Sequence, residues 1–192
     1  MDSPSDYAAL PDEQLARAVQ RGSHFAFRQL VERFTPKLLR YARTFFSSRE
    51  EQEDVVQEVM IKAYAHIQEF DSRRVFSPWI YRIAHNEFVN VLRKKQRALV
   101  FAVDWDVMLP HPISKERTDA DILRTELNDT VFDCLKELPE KYREPLLLYY
   151  NDDLSYGQIS DILHIPVSTV GVRLNRARSM VQAIARNRGI TL

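Results

Sequence analysis

The stretch LSYGQISDILHIPVSTVGVRLNRAR, residues 154–178, decides the fold of the C-terminal part of this chain. Ser155 followed three residues later by Gln158 forms a capping box, which predicts that a helix begins there. We expect this helix to end at about Leu163, because Pro166 cannot continue it and disfavours helical backbone in the residue before it. A second helix follows the short turn. The stretch therefore predicts a helix-turn-helix.

The second of these helices is predicted to have one apolar face and one polar face. Its apolar residues recur at spacings of four, three, four and three, and form a stripe against the first helix: Val170, Leu174, Ala177, Val181 and Ile184. The opposite face is expected to carry Ser168, Thr169, Val172, Arg173, Asn175, Arg176 and Ser179. Residues 162–192 contain five arginines and no acid. Such a helix can enter the major groove of DNA, where arginine pairs with guanine or neutralises phosphate. A structural helix pair or a protein interface is the alternative, and Gly171 either permits close approach to DNA or has no role.

The composition bounds the class of protein. The chain has 192 residues, 45% of them hydrophobic, with 27 basic and 27 acidic residues and nine prolines against four glycines. Helix-forming residues dominate, so we predict an all-α protein. No stretch resembles a signal peptide or reaches the roughly 18 uncharged apolar residues that span a bilayer, which predicts a cytoplasmic protein without membrane insertion. Cys134 has apolar neighbours at helical spacing and is expected to be a packed core thiol.

The charges are sorted along the chain although their total is balanced. Residues 73–97 hold seven basic residues and one acid, whereas residues 50–58 hold five acids and no base. With the basic segment 162–192, this predicts two basic surfaces and one acidic surface, as expected for a neutral protein that binds a polyanion. The alternative is that each run is a solvated helix face.

The N-terminal part is predicted to be a series of helices. Capping residues and helix breakers place the first at 12–20, ended by Gly22, the second at 23–34, and the third at 35–46 with Pro36 in its first turn.

The next helix is expected to begin at a second capping box, formed by Ser48 and Glu51. Four of its residues fall on one face, because the last three follow the first by three, four and seven positions: Asp54, Gln57, Glu58 and Ile61. An acidic face that includes an aliphatic residue suits a basic protein partner. The alternative is a solvated face near a helix N-terminus, where the helix dipole favours acids.

The helix after that combines aromatic residues with positive charge. Ser77 is expected to cap it, with Pro78 in the first turn. Arg82, Asn86, Asn90 and Arg93 share the side away from the core, and the aromatic residues Phe70, Phe76, Trp79 and Tyr81 lie among the basic ones. Aromatic faces interleaved with positive charge suit single-stranded nucleic acid. For Trp79 a core position and a base contact are both open, and for Phe70 a core position is favoured.

Four stretches, in this order, resemble the successive motifs of bacterial sigma factors of the extracytoplasmic-function (ECF) group. They are DVVQEVMIKAY (54–64), FSPWIYRIAHN (76–86), LPEKYREPLLL (138–148) and the 154–178 stretch. The resemblance covers about residues 12–181. It implies two small helical domains joined by a flexible linker, and a transcription initiation factor that binds core RNA polymerase and directs it to promoters. It implies no enzymatic activity, no cofactor, no metal and no small-molecule substrate, and an anti-sigma factor is a further expected partner.

The resemblance also assigns roles to residues. Polymerase docking would use Asp54, Gln57, Glu58 and Ile61. The minus-ten element, with one base flipped out of the stack, would be met by Phe70, Asp71, Ser72, Phe76, Trp79, Arg82, Asn86 and Arg93. The minus-thirty-five element, read as duplex, would be met by Ser168, Thr169, Val172, Arg173, Asn175, Arg176 and Arg178.

The expected organisation is a region 2 domain at 1–97, a linker at 98–119 and a region 4 domain at 120–192. The linker either follows the RNA path of the polymerase, as the resemblance suggests, or is a plain tether. Two other classes of protein stay open. One is a stand-alone helix-turn-helix regulator that binds DNA without polymerase. The other is an enzyme acting on nucleic acid, which is disfavoured because the five histidines lack ligand spacing and no Gly-rich phosphate loop is present.

Overall fold

The computed structural model describes residues 7–102 and 134–189, and the regular elements in these ranges are all helical. The N-terminal unit contains α1 (Asp12–Gln20), α2 (His24–Ala42), α3 (Arg49–Ala65), a 3₁₀ turn (Ile67–Glu69) and α4 (Phe76–Ala102). The C-terminal unit contains α5 (Glu140–Asn151), α6 (Tyr156–Leu163) and α7 (Val167–Asn187). The predicted all-α class is therefore confirmed. The predicted linker falls mainly outside the described residues, although α4 continues through Ala102, beyond the expected boundary at 97.

The core of the N-terminal unit forms where α1 packs on α2, α2 on α3 and α3 on α4. Each helix contributes one apolar stripe, represented by the fully buried side chains of Leu15, Leu30, Val59 and Phe88. This arrangement leaves the other face of each helix to solvent, which is how the polar faces of α3 and α4 become available for binding.

The predicted break between two helices at residues 34–35 is wrong. α2 is a single helix of 19 residues, and Pro36 lies inside it on the exposed side. Proline removes one helical hydrogen bond, but on the exposed side the freed carbonyl can bond to water. The buried stripe Leu30, Phe34 and Leu38 runs past Pro36 without interruption, and its packing holds the helix together.

The start of α3 is predicted correctly, but the expected capping box does not form. Ser48 occupies the N-cap position without a side-chain capping hydrogen bond. Instead, the buried Gln52 side chain donates a 2.7 Å hydrogen bond to the carbonyl of Phe46. Gln52 therefore holds the turn before α3 from inside the helix.

The C-terminal unit follows the sequence prediction closely. The Ser155–Gln158 capping box is formed, and α6 ends at Leu163 with His164 in the left-handed region at φ 52°. Val170, Leu174 and Ala177 are fully buried against the neighbouring helices, and Val181 and Ile184 pack at the edge of the core. Cys134 is buried, which confirms the expected core thiol.

The two units touch through a polar cluster that the sequence did not predict. α4 packs on α6, and the Glu144 carboxylate of α5 reaches the N-terminal unit. Its Oε1 accepts a 2.5 Å hydrogen bond from the Tyr41 hydroxyl of α2 and lies 2.7 Å from His85 Nδ1 of α4. Tyr41 and Glu144 are both buried. Burial, and then the Glu144 charge, raise the pKa of Tyr41 well above its usual value, so Tyr41 stays a donor to this carboxylate.

Tyr81 of α4 and Asp152, at the end of α5, lie close together between the two units, although no hydrogen bond forms between them. The Tyr81 hydroxyl of α4 faces the Asp152 carboxylate, and burial followed by the nearby Asp152 charge raises the pKa of Tyr81. Burial also raises the pKa of Asp152, although Tyr81, Lys37 and Arg40 oppose this shift. The Asp152 charge is therefore held in this contact at an energetic cost.

Candidate nucleic-acid and protein interfaces

The exposed face of α7 is the first candidate site. Ser168, Val172, Asn175 and Arg176 are exposed along one side of the helix, opposite the buried stripe. Val172 is 53% exposed, and an accessible apolar side chain at this place can contact a thymine methyl group. This face carries hydroxyl, amide, apolar and guanidinium groups and no acid, a set that can read base edges in the major groove.

The remaining predicted residues of α7 lie at the edges of this face. Thr169, Arg173 and Arg178 are half-buried. Arg178 folds back on α5: its Nε donates a 2.8 Å hydrogen bond to the Tyr150 hydroxyl, and its guanidinium lies 5.4 Å from the Tyr149 ring centroid. The hydrogen bond to Tyr150 raises the pKa of Arg178, which keeps it charged. Arg178 is therefore oriented by tyrosines that the sequence analysis did not single out.

Arg176 has a weaker attachment to α5. Its Nη1 donates to the Tyr142 hydroxyl at 3.3 Å, and this hydrogen bond lowers the pKa of Tyr142. Both side chains are accessible, since Arg176 is exposed and Tyr142 half-buried. Arg176 can thus leave Tyr142 for a phosphate or a base edge without breaking a buried contact.

The start of α7 is positioned by α6. The left-handed residue His164 turns the chain between the two helices, and the Ser160 hydroxyl donates a 2.5 Å hydrogen bond to the carbonyl of Ile165. Gly171 faces the ring of Tyr156 on α6, and a β-carbon there would lie 3.5 Å from Tyr156 Cε2. Gly171 therefore sits at a helix–helix contact, not on the exposed face.

The second candidate site is the loop before α4 together with the exposed side of that helix. Arg82, Asn86 and Arg93 are exposed. Trp79 is half-buried, with its ring centroid 5.3 Å from that of Phe70 and 5.4 Å from that of Phe76. One side of the indole is therefore packed, and the rest can meet a ligand.

Phe70 and Phe76 do not face solvent, although both belong to the expected minus-ten contact set. For Phe70 the favoured core position is confirmed. The two side chains are 5% and 1% exposed, and their rings meet edge to face at 5.3 Å. Phe76 also packs on Phe34 of α2. Burial of these two rings is favourable, because it removes apolar surface from water and packs each ring against other aromatic rings. These two residues form the floor beneath the loop.

The carboxylate of Asp71 is already paired. It accepts a 3.1 Å hydrogen bond from the backbone N–H of Arg73 and a 2.9 Å bond from Arg73 Nε. These bonds lower the pKa of Asp71, so it is a structural acceptor in the loop and not a free one. Ser72 is half-buried, whereas Arg73 and Arg74 are exposed. The loop therefore presents mainly positive charge.

The third candidate site is the acidic face of α3. Asp54, Gln57, Glu58 and Ile61 are all exposed, and Ile61 is 55% exposed. Lys62 lies at 3.8 Å from Glu58 but contacts the buried Glu87 more closely, which leaves Glu58 largely free for another cation. The predicted residues are thus together on one accessible surface, whose chemistry suits a partner with basic and apolar groups.

The described residues meet the requirements of neither a metal site nor a membrane-spanning helix. Residues 7–102 and 134–189 contain no group of three or more His, Cys, Asp or Glu side chains that could hold a metal ion. Among the helices of these ranges, none is long and apolar enough to cross a membrane.

Comparisons with known proteins identify related chains. Residues 30–98 match the family model of sigma-70 region 2, and residues 129–181 match that of sigma-70 region 4. The ECF RNA polymerase sigma factor SigW of Bacillus subtilis is 33% identical over 177 residues, covering 89% of this chain and 95% of SigW. The ECF RNA polymerase sigma-E factor of Haemophilus influenzae is 36% identical over 180 residues, covering 90% and 94%. The solved sigma factor RpoE, in complex with the anti-sigma factor NepR from Bartonella quintana, superposes with a TM-score of 0.64 at 25% identity, covering 83% of this chain and 96% of that one.

Proposed function

This chain belongs to the ECF group of the sigma-70 family and is an alternative sigma factor, and from that premise we propose which of its surfaces meet polymerase and promoter. The observation that carries the proposal is that one chain presents both an acid-free face on a helix-turn-helix and an exposed acidic face that contains Ile61. A DNA-binding regulator that acts alone needs only the first. A factor that brings polymerase to DNA needs both.

The acidic face of α3 docks on core RNA polymerase. Asp54 and Glu58 supply charge for basic residues of the polymerase, and Ile61 supplies apolar contact at the centre of the patch. Interfaces commonly combine an apolar centre with charged surroundings, which set orientation and rate of association.

The loop 70–76 and the exposed side of α4 meet the minus-ten element. Arg82, Asn86 and Arg93 follow the DNA backbone, and the accessible part of Trp79 lies beside an unstacked base. Phe70 and Phe76 contribute from below, by holding the indole of Trp79 in place. The domain that does this comprises residues 1–97.

The helix-turn-helix in the domain at 120–192 reads the minus-thirty-five element as duplex. Ser168, Val172, Asn175 and Arg176 reach base edges in the major groove, while Thr169 and Arg173 contact phosphate at its borders. Arg178, which is bonded to Tyr150, stabilises the orientation of α7 and adds positive charge near the backbone.

The two domains must separate to reach both elements. Elements centred about 25 base pairs apart are roughly 85 Å apart along B-form DNA, whereas Tyr41 and Glu144 are in direct contact in this structure. The contact between the domains therefore belongs to the free protein, and core polymerase must open it.

Further expectations follow from family membership. The protein works in the cytoplasm with the chromosome, performs no catalysis of its own, and is held inactive by an anti-sigma factor, as the Bartonella relative is found in complex with one. The domain contact described above offers such a partner a defined conformation to bind.

Binding experiments test the proposal against the stand-alone regulator. We expect the protein to bind core RNA polymerase tightly and to bind promoter duplex specifically only in complex with it. Tight and specific duplex binding by the protein alone, with no affinity for core, would exclude the sigma assignment of these surfaces.

A further inference from the structure

The helix α1 contacts both ends of the loop 70–76. Gln20, its last residue, donates from Nε2 to the carbonyl of Ile67 at 2.8 Å and to the carbonyl of Phe70 at 2.7 Å. Both amide protons of Gln20 are therefore used on the turn that leads into the loop. Gln68 completes the connection, since its Nε2 donates to the backbone carbonyl of Gln20 at 3.1 Å.

The other end of the loop is held by the first turn of α1. Glu13 Oε1 accepts a 3.0 Å hydrogen bond from the backbone N–H of Phe76, the first residue of α4. The first N–H groups of a helix have no partner within it, and a carboxylate there also interacts favourably with the helix dipole. Glu13 thus performs the capping that the sequence analysis assigned to Ser77, which lies inside the helix.

Only residues 71–75 lie between these two attachment points. Beneath these residues, the loop is supported by a packed aromatic cluster of Phe70, Phe76 and Trp79. A loop fixed at both ends and from below loses little conformational freedom when it binds, and a pocket for a flipped base depends on such preorganisation.

These contacts are not needed to attach α1 to the fold. Leu15, Ala16 and Val19 already bury its apolar face, mainly against α2. Glu13 and Gln20 add hydrogen bonds directed at the loop. Both residues precede position 30, where the region 2 family match begins.

We infer that Glu13 and Gln20 are positioning residues for minus-ten recognition, and that α1 is part of the promoter-melting apparatus. The inference rests on the proposed function of the loop and adds to it two residues that touch no DNA. They act by holding the loop and Trp79 in the shape that accepts an unpaired base.

The test uses the full-length protein in complex with core RNA polymerase. The probe is a fork-junction DNA, double-stranded upstream and single-stranded through the minus-ten element, made from a promoter found by mapping transcript starts in vitro. Gln20→Ala removes both hydrogen bonds to the loop. We expect its complex to bind the fork roughly tenfold or more weakly, with unchanged affinity for core and for minus-thirty-five duplex. Gln14→Ala, an exposed glutamine in the same helix, is the matched control and should bind as the unsubstituted protein does.

Glu13 gives a second and independent readout. Glu13→Gln keeps an oxygen that accepts from the Phe76 N–H and should retain fork binding, whereas Glu13→Ala should lose it to a similar extent as Gln20→Ala. Affinity for core polymerase, measured for both variants, distinguishes the loss of fork binding from a general loss of stability, because an unfolded protein would lose both.

The outcomes distinguish the inference from the function on which it rests. If the unsubstituted complex fails to bind the fork, the proposed function itself is wrong. If it binds and Gln20→Ala binds equally well, or loses core affinity to the same degree, α1 has a structural role only and the inference is overturned.

Discussion

The Tyr41 hydroxyl and the Glu144 carboxylate form a buried 2.5 Å hydrogen bond between the two helical domains. Glu144 also lies 2.7 Å from His85 Nδ1, so both of these polar contacts cross between the domains. A buried carboxylate that loses its donors costs free energy unless it reaches water, and separation of the domains gives it that access. The contact is therefore suited to a conformation that is stable alone and opens when a partner binds more strongly.

Tyr41→Phe is expected to weaken the contact between the domains. Losing the hydroxyl leaves Glu144 with one donor fewer, at a cost of about 1–3 kcal/mol in the free energy of docking or unfolding. Distances between spin labels placed in the two domains should become broader and longer. Tyr149→Phe is the control, because the contacts of Tyr149 with Tyr150, Tyr156 and Arg178 are made by its ring, which phenylalanine keeps. An unchanged distance distribution in Tyr41→Phe would show that this bond does not hold the domains.

Asp152→Asn is expected to stabilise the protein at neutral pH. Burial raises the pKa of Asp152, so the folded state binds a proton more tightly than the unfolded state, and stability falls as pH rises from the ordinary aspartate range through this raised pKa. Asparagine cannot ionise, so the gain in melting temperature should be present at pH 7 and should shrink as the pH approaches 4. Tyr81, Lys37, Arg40 and Asp153 lie near this side chain in both variants.

The control for this experiment is Asp161, an exposed aspartate of α6. Asp161→Asn should change the melting temperature little at either pH. A gain for Asp152→Asn that is equal at pH 7 and pH 4 would argue against buried charge as its cause.

Gly171→Ala is expected to stabilise α7 by about 1 kcal/mol, the helix-propensity difference between the two residues. The new methyl group fits, since it would lie at ordinary contact distance from Tyr156. Gly22→Ala should do the opposite, because Gly22 has a φ of +95° that alanine adopts only with strain. Chemical unfolding of both variants measures the difference, and a destabilised Gly171→Ala would mean that α6 and α7 cannot adjust to the methyl group.

The double substitution Asp54→Arg and Glu58→Arg is expected to abolish binding to core polymerase without unfolding the protein. Both side chains are exposed, so charge reversal affects the partner and not the core. Glu32→Arg with Glu69→Arg applies the same change of charge elsewhere on the N-terminal domain and should leave binding intact. Fluorescence anisotropy with labelled protein measures the affinity. If both double variants bind core polymerase equally well, the acidic face of α3 is not part of the interface.

Arg176→Ala is expected to reduce initiation that depends on the minus-thirty-five element. If Arg176 binds a guanine edge, the loss is about 1–3 kcal/mol and is confined to promoters with that base. Arg186→Ala, an exposed arginine further along the same helix, is the control. Equal losses for Arg176→Ala on all templates would indicate a phosphate contact instead.

The sequence predicted the C-terminal unit well because its signals are local. A capping box, a proline and an apolar repeat depend on residues within about four positions of each other, and Ser155, Pro166 and Leu174 occupy the expected places. The acidic face of α3 was predictable for the same reason. Once a helix is assigned, the helical repeat of 3.6 residues shows which residues share its exposed side.

The errors arose where tertiary contacts override local signals. Pro36 does not end α2, because the buried stripe on both sides of it holds the helix together. Ser48 does not form its capping box, because Gln52 secures the preceding turn. Phe76 is buried partly by Phe34, 42 residues earlier, and the contacts of Gln20 with Phe70 and of Tyr41 with Glu144 join positions 50 and 103 residues apart. No pattern in one sequence reports such pairs.

The central claim is that this chain directs core RNA polymerase to promoters that have two defined elements. It is tested most directly by transcription in vitro with core polymerase on sheared bacterial genomic DNA, with and without the protein, followed by sequencing of the transcript 5′ ends. The account predicts new discrete starts in the presence of the protein, preceded by two shared elements at the minus-ten and minus-thirty-five positions. An unchanged set of starts, together with no binding to core, would contradict it.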